Sequence, residues 1–152
     1  MTVDIERRNM LPSPGWSEHT KPYWLAAGRG ELVIPRCDGC GTHRWPLDAA
    51  CYACHATEFS WSQVPGTGRV FTFTWVDFPP PPDGERNITV VELDGTQGEP
   101  VRVLSWVVGI QRESLACDQP VEIVFLTFDD EVSIPVWRPR RSGLKLQMPT
   151  LG

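Results

Sequence analysis

RCDGCGTHRWPLDAACYACH, residues 36–55, carries two Cys-x-x-Cys pairs, Cys37/Cys40 and Cys51/Cys54, with ten residues between them. A pair at this spacing turns the backbone into a knuckle that aims two thiolates at one point. Two facing knuckles make a tetrahedral four-sulfur site, the geometry of structural zinc. Such a site is closed, so no position is left for water or substrate. Zinc is the expected metal, with iron in a rubredoxin-like site as the alternative. Gly39 and Gly41 permit the tight turn of the first knuckle. The second knuckle places His55 where glycine is usual, which predicts a slightly more strained turn. His43 and His55 are expected outside the ligand set. Together with Arg36 and Arg44 they offset the negative charge of four thiolates.

Upstream of this stretch, Pro12, Pro14 and Gly15 make residues 1–15 irregular. Residues 17–27 read as a short helix, with Thr20 as cap, Pro22 near the first turn and Gly28 and Gly30 as the stop. One short helix cannot bury Tyr23 and Trp24 alone, so it must pack on the ribbon, on the later domain or on another chain. Residues 31–36 form a strand that feeds the first knuckle.

Downstream, turn signals and alternation predict five strands, at 69–78, 88–94, 101–109, 121–128 and 132–138. A proline-stiffened loop, PPPPDGERN, occupies 79–87. In the first strand Phe71, Phe73 and Trp75 alternate with Val70, Thr72, Thr74 and Val76, which predicts two distinct faces. The fold class is therefore mainly β with a short N-terminal helix: a zinc ribbon followed by a five-stranded OB-type barrel, closed so that no edge is exposed. Residues 110–120 leave no room for the helix an OB fold often carries there, and a five-stranded SH3-like barrel stays open as the alternative. The expected organisation is an N-terminal segment and helix at 1–30, the ribbon at 31–64, the barrel at 65–139 and a basic tail at 140–152.

The chain has 152 residues, of which 41% are hydrophobic and 22% charged, enough for one domain plus a compact module. No apolar run approaches a membrane span, and MTVDIERRNM lacks a signal-peptide core, so a cytoplasmic location and no membrane partner are expected. In a reducing compartment clustered cysteines are metal ligands rather than disulfides, and the odd fifth one, Cys117, agrees. The net charge is −5, while Arg138, Arg140, Arg141 and Lys145 make the C-terminal end basic. An acidic body is a poor match to nucleic acid, whose affinity comes mainly from phosphate neutralisation.

A longer ordered set of features resembles a known family. It runs from Tyr23-Trp24 through Gly30-Glu31-Leu32, Arg36-Cys37, Cys40-Gly41, Pro46, Cys51 and Cys54. Gly66-x-Gly68-x-Val70, Thr72-x-Thr74, Pro120 followed by Val121-Glu122-Ile123-Val124-Phe125, and Pro135-Val136-Trp137-Arg138-Pro139 complete it. Over roughly residues 17–139 this resembles the family in which a rubredoxin-like zinc ribbon is joined to an OB fold and encoded beside thiolases. The resemblance implies a non-catalytic accessory subunit of a thiolase-fold enzyme acting on acyl-CoA thioesters. Such partners are thiolases, acyltransferases and the lipid-transfer-type aldolases of steroid side-chain degradation, a branch of lipid metabolism. It also implies structural zinc, and an OB fold that holds the partner and, in some members, CoA. Cys117 stands where glycine is common, and the second knuckle lacks its usual proline and glycine.

The residues themselves offer no catalytic constellation. Cys117 has no histidine near it in sequence and is followed by Asp118, the wrong field for a reactive thiolate. No nucleophile elbow, P-loop or zinc-protease motif is present. Seven tryptophans are a heavy load, and Tyr23, Trp24, Trp45 and Pro46 lie where little core exists, so they are assigned to a partner-facing patch. For CoA or acyl-CoA the available cations are Arg69, Arg86 and Arg138, with Arg140 and Arg141 in the tail, and Phe73, Trp75 and Phe78 are the channel-lining candidates. The rival readings are a single-stranded nucleic-acid-binding OB protein and a stand-alone enzyme.

Overall fold

The computed structural model describes residues 17–77, 86–127 and 133–140. Helix α1 (Lys21–Gly28) starts at Thr20, whose side chain does not cap it. Ser17 and Thr20 instead exchange hydrogen bonds in the preceding turn, Ser17 N–H to Thr20 Oγ1 and Thr20 N–H to Ser17 Oγ, each at 3.3 Å. The helix buries Ala26 and Ala27, small residues that let it approach β-structure closely. Among the described residues, no helix is long and apolar enough to cross a membrane.

Strands β1 (Val33–Cys37) and β2 (Phe59–Gln63) pair antiparallel and hold the two knuckles at one end. The remaining strands are β3 (Thr67–Val76), β4 (Arg86–Leu93), β5 (Arg102–Ser105), β6 (Pro120–Thr127) and β7 (Ser133–Pro139), in the order β5-β4-β3-β6-β7. The third barrel strand is thus shorter than its sequence suggests, because the chain leaves β4 after Ser105 and crosses to β7. There Val107 forms a parallel bridge with Trp137, through Trp137 N–H to Trp106 O at 3.0 Å and Val108 N–H to Trp137 O at 2.7 Å. The parallel third-to-fifth contact curls the sheet on itself in the OB manner, and the 110–120 connection holds a single 3₁₀ turn at Arg112–Ser114.

The expected faces of β3 are broken by a bulge. Val70 pairs with Val91 and Thr72 with Val90, so Phe71 is an extra residue. Gly68 and Val70 face the core before it, whereas Phe73 and Trp75 pack on the core after it. Phe71 is left outside, 47% exposed, under the Arg102 guanidinium 3.7 Å from its ring centre. The alternation of Phe71, Phe73 and Trp75 on one face is therefore corrected by one inserted residue.

Ribbon and barrel share one core. Leu32 and Ile34 from the ribbon side and Val64 from the junction cluster with Val70, Val91, Val103, Val121 and Trp137. Gly68 lies where a Cβ would meet Glu92 O at 2.3 Å, so only glycine fits this strand crossing.

Candidate metal centre and its surroundings

The two knuckles have the same hydrogen-bond plan. Cys37 N–H donates to Thr42 O and Gly41 N–H to Cys37 O, both at 2.9 Å. Cys51 N–H donates to Ala56 O and His55 N–H to Cys51 O, both at 2.8 Å. The fifth position of each turn has positive φ, +77° at Gly41 and +62° at His55. Histidine therefore occupies the strained position, as its place in the sequence predicts. His55→Gly is expected to stabilise the metal-loaded protein by about 0.5–1 kcal/mol, since most non-glycine residues lose energy in this region. Metal content should not change, and a loss of metal on that substitution would make His55 a ligand after all.

The four Sγ atoms lie within 4.8 Å of one another, with Cys37 to Cys54 and Cys40 to Cys51 at 3.6 Å. Zinc–sulfur bonds of about 2.3 Å in tetrahedral geometry put sulfurs about 3.8 Å apart, so the donor set fits. Cys37 and Cys51 are buried while Cys40 and Cys54 reach the surface. Without a cation the cluster cannot hold four charges. Cys40 is lowered to about 6, first by its bond with Thr42, and Cys37 is also lowered, first by the Cys40 N–H. For Cys54 the Ala56 N–H draws the value down, but the bonds shared with Cys37 and Cys40 outweigh it and leave the thiol at about 12. A divalent metal removes that conflict. Gly39 sits against the cluster, where a Cβ would lie 3.3 Å from Cys54 Sγ and 3.1 Å from Ala56 Cβ.

His43 lies outside the ligand set. It is buried, and its Nδ1 accepts the Gln97 N–H at 2.9 Å, tying the ribbon to the 94–100 loop of the barrel. Burial, then the Arg36 charge, lowers its pKa. Tyr52 makes a second tie, its hydroxyl accepting the Glu99 N–H at 2.9 Å. Neither tie was legible as such in sequence.

The aromatic patch residues are brought together. The Tyr23 ring centre is 5.0 Å from Trp24, 5.1 Å from Trp45 and 6.5 Å from Trp61. Burial pushes the Tyr23 phenol up to about 12. Helix α1 thus packs on the ribbon through Tyr23, while Trp24 and Trp45 stay half-buried and Pro46 and Leu25 are exposed.

The residues assigned to CoA are more dispersed. Phe73 and Trp75 pack against the barrel core. Arg69 is exposed on β3 beside Glu92, and Arg86 opens β4 opposite Val76. Arg138 donates to Glu122 at 2.8 Å and Arg140 is exposed after β7. Phe78 and Arg141 lie outside the described residues, as do Trp16 and the proline run. Sequence reasoning missed Arg112, which grips Asp77 with bonds of 2.8 and 3.1 Å and lies 5.7 Å from the Trp75 ring. That bond holds the Asp77 carboxyl below the usual range. Cys117 is exposed, and the positive φ of its turn falls on Asp118 at +63°.

Two family models match consecutive parts of the chain. The model of the ChsH2 rubredoxin-like zinc ribbon domain matches residues 24–60, and that of the ChsH2 C-terminal OB-fold domain matches residues 61–126. A probable enoyl-CoA hydratase alpha subunit of Thermomonospora curvata is 30% identical over 130 residues, covering 86% of this chain. The chain spans only 40% of that relative's length. A DUF35 domain-containing scaffold protein of Methanocaldococcus jannaschii is 31% identical over 99 residues, 62% of this chain and 67% of the relative. Among solved structures, a chain described as Ltp2-ChsH2(DUF35) aldolase superposes with TM-score 0.74 at 29% identity, covering 84% of this chain and 98% of that one. A DUF35-family protein of unknown function from Sulfolobus solfataricus shares the fold at TM-score 0.55 and 13% identity, over 90% and 93% of the two chains.

Proposed function

Because the chain belongs to the ChsH2 family of zinc ribbons joined to OB folds, we propose that it is a non-catalytic accessory subunit of an acyl-CoA enzyme complex. Its catalytic partner, on this reading, is a thiolase-fold aldolase or thiolase, with steroid side-chain acyl-CoA thioesters as the substrate class. The observation that carries the reading is the likeness to an aldolase-complex chain, which extends over 98% of that chain. The relatives named for a scaffold and for an enoyl-CoA hydratase subunit support its coarser part, a scaffold-type subunit beside an acyl-CoA enzyme. The chemistry supports it too. A closed four-thiolate centre offers no open metal position, so zinc, when bound, supplies only structure.

The subunit's work on this reading is to hold its partner and shape the acyl-CoA entrance, with Arg69, Arg86 and Arg138 as the candidate phosphate contacts and Phe73 and Trp75 as the candidate channel residues. Purification of the tagged chain from its own cells tests the reading. An acyl-CoA carbon–carbon lyase or thiolase should co-purify, and its activity should fall when this chain is withheld. A chain that purifies alone and binds a labelled oligonucleotide in a salt-dependent way overturns it.

The partner-facing patch is assigned to Trp24 and Trp45, with Tyr23 beneath and Pro46 beside them. Half-buried tryptophans over a packed base have the make-up of interface hot spots. Trp24→Ala is expected to weaken partner binding by at least about thirtyfold, the effect of a hot-spot residue of about 2 kcal/mol. Calorimetry with the purified partner measures it, circular dichroism checks the fold, and unchanged affinity in a folded variant removes the patch.

A further inference from the structure

A cavity of about 470 Å³ opens between the loop after the first knuckle and the 94–100 loop of the barrel. Its walls include Trp45, Pro46, Tyr52 and Pro100, and its acidic lining residues are Asp48 and Glu99. Both acids are exposed. Asp48 Oδ1 accepts the Ala49 N–H at 2.7 Å, and among the described residues neither carboxylate has an ion-pair partner. Arg44 also belongs to the lining but does not answer them. Its guanidinium sits over Phe59 with Cζ 5.5 Å from the ring centre, its three nitrogens are buried, and Phe59 is not part of the lining. The Tyr52 wall is fixed in advance. Its hydroxyl accepts the Glu99 N–H at 2.9 Å, and Gly98, at φ +90°, packs so close that a Cβ there would lie 2.9 Å from that hydroxyl. A ring already held in place loses little freedom when a ligand arrives.

Two unanswered carboxylates beside aromatic faces attract a cation and repel an anion. Of the protein cations, arginine fits best. Its flat guanidinium is weakly hydrated, stacks on an aromatic ring and still presents its N–H edge to a carboxylate, while its methylene stem lies along apolar walls. We propose that this cavity receives an arginine side chain of the protein partner. The inference rests on the partner-facing reading of Trp45 and Pro46, and deepens it, because both residues also line the cavity. A partner seated on the patch therefore has the cavity at its rim, within reach of one long side chain. The charge of the pair then sets register, while Trp24 and Trp45 supply apolar contact.

An NMR titration of the metal-loaded full chain tests the proposal without any partner, so its failure leaves the accessory-subunit reading standing. The probes are N-acetylarginine methylamide, its lysine counterpart and its uncharged citrulline counterpart. The arginine probe should shift the Trp45 indole N–H and the backbone amides of Asp48 and Glu99 to saturation. The lysine probe should bind more weakly, and the citrulline probe should shift none of them. Asp48→Asn combined with Glu99→Gln should raise the Kd of the arginine probe about tenfold, and Tyr52→Leu about threefold, the worth of one exposed ring face. Both are surface changes that leave the core intact. With the co-purified partner, the double variant should weaken binding about tenfold and flatten its salt dependence. No shift with the arginine probe, an equal shift with citrulline, or a Kd unmoved by the double variant overturns the proposal. Equal binding of the lysine probe overturns the choice of arginine. A cavity that takes the probe while partner affinity ignores the double variant overturns the assignment to the partner.

Discussion

Cys37→Ser is expected to abolish metal binding and unfold the ribbon, with the largest loss of stability of any single change in this chain. Cys37 is fully buried, its sulfur is 3.6 Å from that of Cys54, and its backbone anchors the first knuckle through Thr42. Structural zinc contributes about 10–16 kcal/mol to the folding of finger peptides, and that energy is folding energy because no site exists in the unfolded chain. The segment has little else to fold on. Its inward apolar residues, Leu32 and Ile34, belong to the core it shares with the barrel. The loss therefore spreads: a loosened ribbon uncovers Val70, Val91 and Trp137, and the barrel's denaturant midpoint should fall as well.

Metal analysis should find one zinc per wild-type chain and none in Cys37→Ser, and the same measurement decides between zinc and iron. Acid should mimic the substitution. The ligands bind as thiolates, so protonation competes with metal, and affinity falls as pH falls. A metal-free wild type whose fold survives Cys37→Ser would refute the structural role.

The knuckles, the helix bearing Tyr23 and Trp24, and the approximate strand positions were legible because each is a local pattern. Cysteine spacing, a proline near a helix start and period-two alternation need no knowledge of what lies across the fold. Phe71 was misread for the complementary reason. A bulge leaves alternation in sequence intact and breaks it only in pairing, and the pairing partner, Val90 or Val91, is some twenty residues away. Arg44 was legible as a cation near four thiolates, but its burial without an acceptor, under the Phe59 ring, was not, since Phe59 lies fifteen residues on in the second ribbon strand. OB closure, expected from the strand pattern ahead of an SH3-like barrel, is what the structure has. It rests on the bridge between Val107 and Trp137, residues that look like ordinary strand positions.

Asn87→Ala is expected to cost about 3–5 kcal/mol, from the loss of three buried hydrogen bonds at once. Strands β4 and β5 pair from Glu92 opposite Arg102 to Thr89 opposite Ser105, and then separate. Two residues on, the Asn87 carboxamide replaces the missing ladder. Its Nδ2 donates to Val107 O and its Oδ1 accepts from Val107 N–H, each at 2.8 Å. The same oxygen accepts from Thr89 Oγ1 at 2.8 Å. Asn87 is 4% exposed and Thr89 is fully buried, so water cannot take over these bonds without opening the barrel. Val107 is also the residue whose other neighbours bridge to Trp137. One side chain thus fixes the segment through which the third strand reaches the fifth. Asparagine is poorly represented in strands, so nothing in the sequence marks it as a clasp.

Urea unfolding of Asn87→Ala, with metal content unchanged, measures the loss. Thr89→Val removes one bond at nearly constant volume and should cost only about 1 kcal/mol, which separates the clasp from a general intolerance of the strand. The arithmetic is that of orphaned groups. Thr89→Val leaves the Asn87 oxygen bonded to Val107, whereas Asn87→Ala strands a buried N–H, a carbonyl and a hydroxyl together. Equal losses for the two variants would mean that Val107 finds other partners and that closure rests on the Val107–Trp137 bridge alone.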